Sequence, residues 1–174
     1  MRLFRGAPVP RFHLALILGV AAAVTLSMLP STPKASLAES EPIRKYSFSK
    51  GERCFLRKIN GMRHRNGKRR LDADKQLGYV ARRHARGMAR KGTIYHDGDL
   101  GQTVTRWRRL GQNVGMGGGC KSLFKAFKSS SAHRQNILGK WKHMGVGLDR
   151  RRGRIYVMHI FHSRRNPGNV YHYP

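Results

Sequence analysis

Residues 155–161 alternate two apolar sets, with Ile155, Val157, His159 and Phe161 on one side and Tyr156, Met158 and Ile160 on the other. In an extended strand successive side chains point to opposite faces, so neither face of this one belongs in water. Such a strand needs one layer of structure above its sheet and another below. Just ahead lie the turn-like RRRG of residues 150–153 and the segment MGVGLD, which together with this strand read as a β-hairpin.

The covering layers read as helices. Phe55, Ile59 and Met62 recur at i, i+4, i+7 and predict a helix that stops in the Asn66-Gly67 turn. Asp72 stands where it would cap a longer helix, whose stripe of Leu77, Val80, Ala81, His84, Ala85 and Met88 runs up to Gly92. A short helix carrying Val104, Trp107 and Leu110 would end at Gly111, and another after Cys120 would carry Leu123, Phe124 and Phe127. The expected fold is α+β, a three-layer α-β-α sandwich with a small antiparallel sheet. At 174 residues and 39% hydrophobic content, the chain has material for one such core. The domain is placed at residues 51–165, after a polar linker at 39–50 and before a tail at 166–174.

The N-terminus carries Arg2, Arg5 and Arg11, an apolar run over residues 14–29 and the small-residue site Ser36-Leu37-Ala38. That is the layout of a secretory signal peptide, residues 1–38. The alternative, an uncleaved membrane anchor, is weakened by Thr25 and Ser27 within the run. Either way the domain is expected outside the cytoplasm. Export favours oxidation, so the two cysteines, Cys54 and Cys120, are expected to form a disulfide joining two helix N-termini. Closing a loop of that length contributes about 4 kcal/mol in the chain-entropy account. A catalytic cysteine is the other reading, but nothing around Cys120 supplies a base.

The formal charge is +28, and removing residues 1–38 takes four basic residues and no acid, leaving +24. Basic runs recur at residues 63–70, 81–91, 106–109 and 150–154. One such run is usually a solvated face; four with so few acids create a long-range positive field. Partners of opposite sign are anionic cell-envelope polymers or a membrane surface. Nucleic acid would be held only through phosphates, since the runs match no zinc-finger, basic-zipper or aromatic RNA-reading pattern.

Three stretches carry a resemblance: GTIYHDGD around His96, LGQNVG around Gln112, and SSSAHRQNILGKWKHMGVGL at residues 129–148. In these the chain resembles the bacterial branch of the CAP superfamily, which comprises cysteine-rich secretory proteins, venom antigens and plant pathogenesis-related proteins. The resemblance covers roughly residues 53–163. It implies the same α-β-α fold and a central cavity lined by two histidines and two acids, which in some members holds a divalent cation. The histidines correspond to His96 and His133. The family's Gly-Glu-Asn acid stands here as Gln112, and the remaining acidic position falls near Ser130. The implied cavity set is therefore His96, Gln112, Ser130 and His133, with His96 and His133 as the ligands should a cation such as zinc bind.

Imidazole suits zinc, but two ligands are too few for a tetrahedral site. Gln112 offers a neutral amide oxygen and cannot act as a general base; Asp97 or Asp99 would have to complete the shell. A purely structural alternative has His96 and His133 hydrogen-bonded to Gln112 and to main chain. His84 reads as a satisfied core histidine, and His159, which shares a side with Phe161, is ambiguous between core and cavity. His159 and His162, three apart on a strand, face opposite ways and are not paired. Ser129, Ser130 and Ser131 precede His133 without a nucleophile-elbow pattern and read as helix caps. No catalytic residue is assigned. The reading placed first is a non-enzymatic secreted module that binds a small apolar or lipid-like ligand and associates with the envelope. A metal-assisted hydrolase using His96 and His133, and a cationic factor acting by charge alone, are the alternatives.

Overall fold

A computed structural model describes residues 46–164. The segment read as a signal peptide, residues 39–45 of the expected linker and the expected C-terminal tail lie outside the described residues. In chain order the elements are α1 (Lys50–Arg65), β1 (Asp72–Ala73), α2 (Lys75–Lys91), α3 (Leu100–Thr103), β2 (Leu110–Gly117), α4 (Cys120–Ser129), α5 (Ser131–Leu138), β3 (His143–Arg151) and β4 (Arg154–His162). They form one four-stranded sheet in the order β1-β3-β4-β2.

β4 is a central strand, antiparallel to both β3 and β2. Its two side-chain sets separate as the alternation requires. Ile155, Val157 and Phe161 enter one core with Phe55, Ile59, Phe127 and Ile137, from α1, α4 and α5. Tyr156, Met158 and Ile160 enter the other with Leu77, Val80, Ala85 and Met88 of α2. The layers are thus α1, α4 and α5 on one face of the sheet and α2 on the other. The sheet is mixed rather than wholly antiparallel, because β1 pairs in parallel with β3 through Asp72↔His143 and Ala73↔Met144. β1 and β3 are separated in sequence by most of the domain, so a parallel pairing is available to them where a tight hairpin is not.

Two sequence expectations need correction. Asp72 lies in β1, and the cap of α2 is Asp74, whose carboxylate accepts from the Leu77 N–H at 2.8 Å. The backbone of residues 72–73 is occupied by pairing to β3, which moves the helix start two residues on. The segment holding Val104, Trp107 and Leu110 is not one helix. Val104 closes the short α3, Trp107 lies exposed in irregular chain, and Leu110 opens β2. Three glycines in LGQNVGMG hide that strand from propensity arguments; its pairing with β4 creates it.

α1 begins at Ser49 with a reciprocal capping box: Ser49 Oγ accepts from the Glu52 N–H and Glu52 accepts from the Ser49 N–H. Glu52 is fully buried, where its carboxylate also accepts from Arg82 of α2 and, at 3.0 Å, from the Leu148 N–H of β3. The Arg82 guanidinium lies 4.2 Å from the centre of the Tyr46 ring, and the Tyr46 hydroxyl donates to the Val146 carbonyl. Burial, then the neighbouring Glu52, raise the Tyr46 pKa, so its hydroxyl stays protonated. One carboxylate therefore joins the N-terminus of α1, the middle of α2 and β3.

Arg63 plays a similar part without an acid. It is buried and donates to the carbonyls of Arg69, Ile137 and Gly139, tying α1 to the end of α5. The Cys54–Cys120 disulfide forms between α1 and the first residue of α4, with Cα atoms 6.4 Å apart. Among the described residues no helix is long and apolar enough to cross a membrane.

Candidate functional site

Register decides which side chains of β2 and β4 share a face, because residues directly opposite on paired strands point the same way. Asn113 lies opposite His159 and Gln112 opposite Ile160. Gln112 therefore faces α2, and Asn113 faces α1, α4 and α5. β2 is an edge strand, and the loop after α2 passes along it.

On the α2 side the Gln112 amide is committed to that loop. Its Oε1 accepts from the Asp97 N–H and its Nε2 donates to the Asp97 carbonyl, each at 2.9 Å. His84 of α2 donates from Nε2 to the Tyr95 carbonyl at 2.8 Å, leaving Nδ1 3.8 Å from the Asp97 carboxylate. It is a satisfied histidine, as its place on the α2 stripe implies. An open pocket of about 340 Å³ adjoins this side, lined in part by Asp97, Trp107 and Gln112.

On the opposite side lies a second cluster. His133 of α5 packs its ring on Phe127, 4.9 Å between centres. Asn113 donates to the His133 carbonyl, while Asn136 donates to Asn113 Oδ1 and to the Gln112 carbonyl. These bonds pin α5 across β2. His96, on the exposed loop, comes near enough for its charge to act on His133. Burial, and then His96, hold the His133 pKa below the usual imidazole value.

Register thus turns Gln112 to the face of the sheet opposite His133, while His96 stands within electrostatic range of His133. Among the described residues no hydrogen bond occupies the ring nitrogens of either histidine. Ser130 sits at the start of α5 but makes no side-chain cap bond.

Near His133 lies His159, which the sequence left ambiguous between core and cavity. It is fully buried among the rings of Phe55, Phe127 and Phe161, and among the described residues neither ring nitrogen has a hydrogen-bond partner. Burial, then nearby His133, push its pKa down to about 3. Position in the strand foretold its direction; its lack of partners depends on which rings surround it. His162 is separate: its Nδ1 accepts from the Arg164 N–H and its Nε2 donates weakly to the Thr105 carbonyl.

A pH dependence follows for His159. With a folded pKa near 3 and an unfolded value near 6.5, the unfolded chain takes up the proton first as pH falls. Its stabilising contribution is complete above about pH 6.5 and is lost progressively down to about pH 3. His159→Phe keeps an aromatic ring, somewhat larger, and removes the titration. The stability gap between the variant and the parent, measured by urea unfolding, is expected to widen in favour of the variant by several kcal/mol across that window. A gap independent of pH would show that His159 is hydrated in the folded protein.

The donor set does not fit a metal ion. Among the described residues no three His, Cys, Asp or Glu side chains converge as ligands. The Gln112 oxygen is already accepting, and the Asp97 carboxylate lies beside His84 on the far face of β2.

Comparison with known proteins matches the chain to one family by sequence and to several solved structures by fold. The sequence model described as "Cysteine-rich secretory protein family", CAP, matches residues 56–161. No curated protein matches the chain. Among solved structures, an extracellular protein containing an SCP domain from Bacillus anthracis is 19% identical with a TM-score of 0.58. That match covers 66% of this chain and 40% of the Bacillus protein, so this chain spans well under half of that relative. An outer surface protein of Borrelia burgdorferi is 14% identical, covering 68% of this chain and 96% of its own, with a TM-score of 0.60. Venom allergen-like protein 4 of Schistosoma mansoni is 12% identical, covering 73% and 97%, with a TM-score of 0.57. At these identities the structural matches establish a shared fold.

Proposed function

The chain belongs to the cysteine-rich secretory protein (CAP) family, and from that premise we propose that it is a secreted, non-enzymatic binding module. It holds a small apolar or lipid-like ligand against His96 and His133, and its positive charge keeps it at anionic envelope surfaces. The observation that carries this reading is His133, packed on the Phe127 ring and within electrostatic range of His96, with, among the described residues, no hydrogen bond to either imidazole and no acid beside them. Hydrolysis of a bound substrate by an activated water needs a base or a metal to generate the nucleophile. The one carboxylate on the adjoining loop that contacts a histidine, Asp97, contacts His84 instead. Rings and imidazoles without a base suit retention of a ligand better than its conversion. Extracellular and outer-surface proteins among the fold relatives support the location.

The test is extraction and mass spectrometry of small molecules retained by the purified mature protein, set beside a His96→Ala/His133→Ala variant with an unchanged melting temperature. A stoichiometric apolar species carried by the parent and lost from the variant is expected. Equal retention by both, or turnover of the retained species by the parent, contradicts the reading. The charge component is read separately: release from envelope preparations should rise steeply as salt shortens the Debye length from ~10 Å at 0.1 M to ~3 Å at 1 M.

A further inference from the structure

The turn between β3 and β4 is built at a conformational cost. Arg151 pairs with Arg154, leaving a two-residue loop in which both Arg152 (φ 47°) and Gly153 (φ 72°) have positive φ. This primed turn matches the twist of the strands and favours Asn or Gly at its first position. A large basic residue there pays for a left-handed backbone that Asn would adopt more readily. Strain of this kind, kept at an exposed tip, points to a use for the side chain.

The tip borders a concavity of about 350 Å³ between the hairpin and the C-terminal end of α2, lined by Ala89, Arg90, Lys91, Gly92, Arg151, Arg152, Arg154 and Tyr156. Five of these residues are cationic and none is acidic. The C-terminus of a helix is the wrong end for an anion, but its partial charge of about half an electron is small against five full charges. The Gly92 N–H also caps the Ala89 carbonyl. The local ties are to neutral groups: Lys91 lies 4.7 Å from the centre of the Tyr95 ring, and Arg154 contacts the Met116 sulfur.

We propose that this cradle binds clustered phosphates of a linear phosphate polymer. Forked guanidiniums recognise phosphate oxygens in pairs. Concavity favours a chain that can enter over a flat bilayer, and the lining exposes no large apolar side chain to insert into lipid. The one aromatic ring in the lining, Tyr156, is buried, so bases of a nucleic acid would find no stacking platform. The inference deepens the charge component of the proposed function by naming its site. It does not involve His96 or His133, so either can fail alone.

Tripolyphosphate is the probe, titrated calorimetrically into the mature protein at fixed salt. The variant Arg90→Ala/Arg151→Ala/Arg154→Ala is compared with Lys68→Ala/Arg108→Ala/Lys140→Ala. The second set removes the same charge from exposed loops at the other end of the sheet. Saturable binding that weakens roughly tenfold or more in the first and less than about threefold in the second is expected. Equal weakening in both, or no saturable binding by the parent, overturns the site. Arg152→Asn supplies an independent readout: a higher melting temperature together with weaker binding supports a strained residue kept for phosphate, and unchanged binding overturns that role. Displacement of tripolyphosphate by phosphatidylglycerol vesicles overturns the assignment to a polymer, and failure of such vesicles to compete supports it.

Discussion

Gly147→Ala is expected to abolish cooperative folding. A Cβ at this position of β3 would lie 1.9 Å from the Arg82 nitrogen and 2.0 Å from the Ala81 carbonyl carbon, both main-chain atoms of α2. A flexible side chain can swing away from such a clash, whereas a helix backbone must move as a body. Gly145 repeats the contact one turn earlier, where a Cβ would meet Leu77 C at 2.2 Å and Gly78 N at 2.4 Å. The pair allows α2 to rest directly on the strand, and Leu77, Val80 and Ala81 then become fully buried beside Met158 and Ile160. Relieving either overlap would lift α2 off the sheet and open that core. Overpacking against movable side chains costs about 1–3 kcal/mol; against backbone the cost should exceed that and consume most of a margin of roughly 5–15 kcal/mol. The readout is near-ultraviolet circular dichroism with urea unfolding. Gly118→Ala, where a Cβ meets nothing within 4 Å, is the matched control and should unfold like the parent. A soluble Gly147→Ala protein with a parent-like urea midpoint would falsify the close apposition of α2 and β3.

Glu52→Ala is expected to cost about 3–5 kcal/mol, the range for breaking a buried ion pair from one side. Removing this carboxylate leaves the Arg82 guanidinium with the Ser47 carbonyl and the Tyr46 ring but no anion, and takes the side-chain acceptor from the Leu148 N–H and the Ser49 N–H. Coulombic attraction alone would not predict the size, since exposed pairs are worth little. The penalty comes from unsatisfied groups in a site where Glu52 has no solvent exposure. Arg82→Ala should be damaging for the converse reason. The double variant should lose clearly less than the sum of the two, because each partner is costly chiefly when left without the other. Additive losses in urea unfolding would mean that the two residues act independently.

How far the sequence discloses this protein depends on whether a signal is local or arises from pairing. The alternation of residues 155–161 disclosed both layers, because burial on two faces must be written into the strand itself. The stripes of α1 and α2 were legible for the same reason, as was the hairpin turn. β2 was not, since its glycines make room for Trp141 and Phe127 and its strand character comes from β4. Basic runs misled in a specific way. Arg63 and Arg82 lie in stretches that read as solvated surface, yet one is buried and the other is paired with a buried carboxylate. Nothing in residues 63–70 or 81–91 distinguishes those two arginines from their neighbours. At the site, His96 and His133 could be picked out by motif, but the side of the sheet that Gln112 occupies follows from register with Ile160. A one-residue shift would have exchanged it with Asn113.

The claim on which the functional reading rests is that His96 and His133, far apart in the chain, meet on one side of β2. Histidine-resolved NMR titration measures it directly, in the parent and in His96→Ala. The account predicts that His133 in the parent titrates below 6.5, and that its midpoint rises when His96 is removed while Gln112→Ala leaves it unchanged. A His133 midpoint indifferent to His96, or one that follows Gln112 instead, would contradict the shared site.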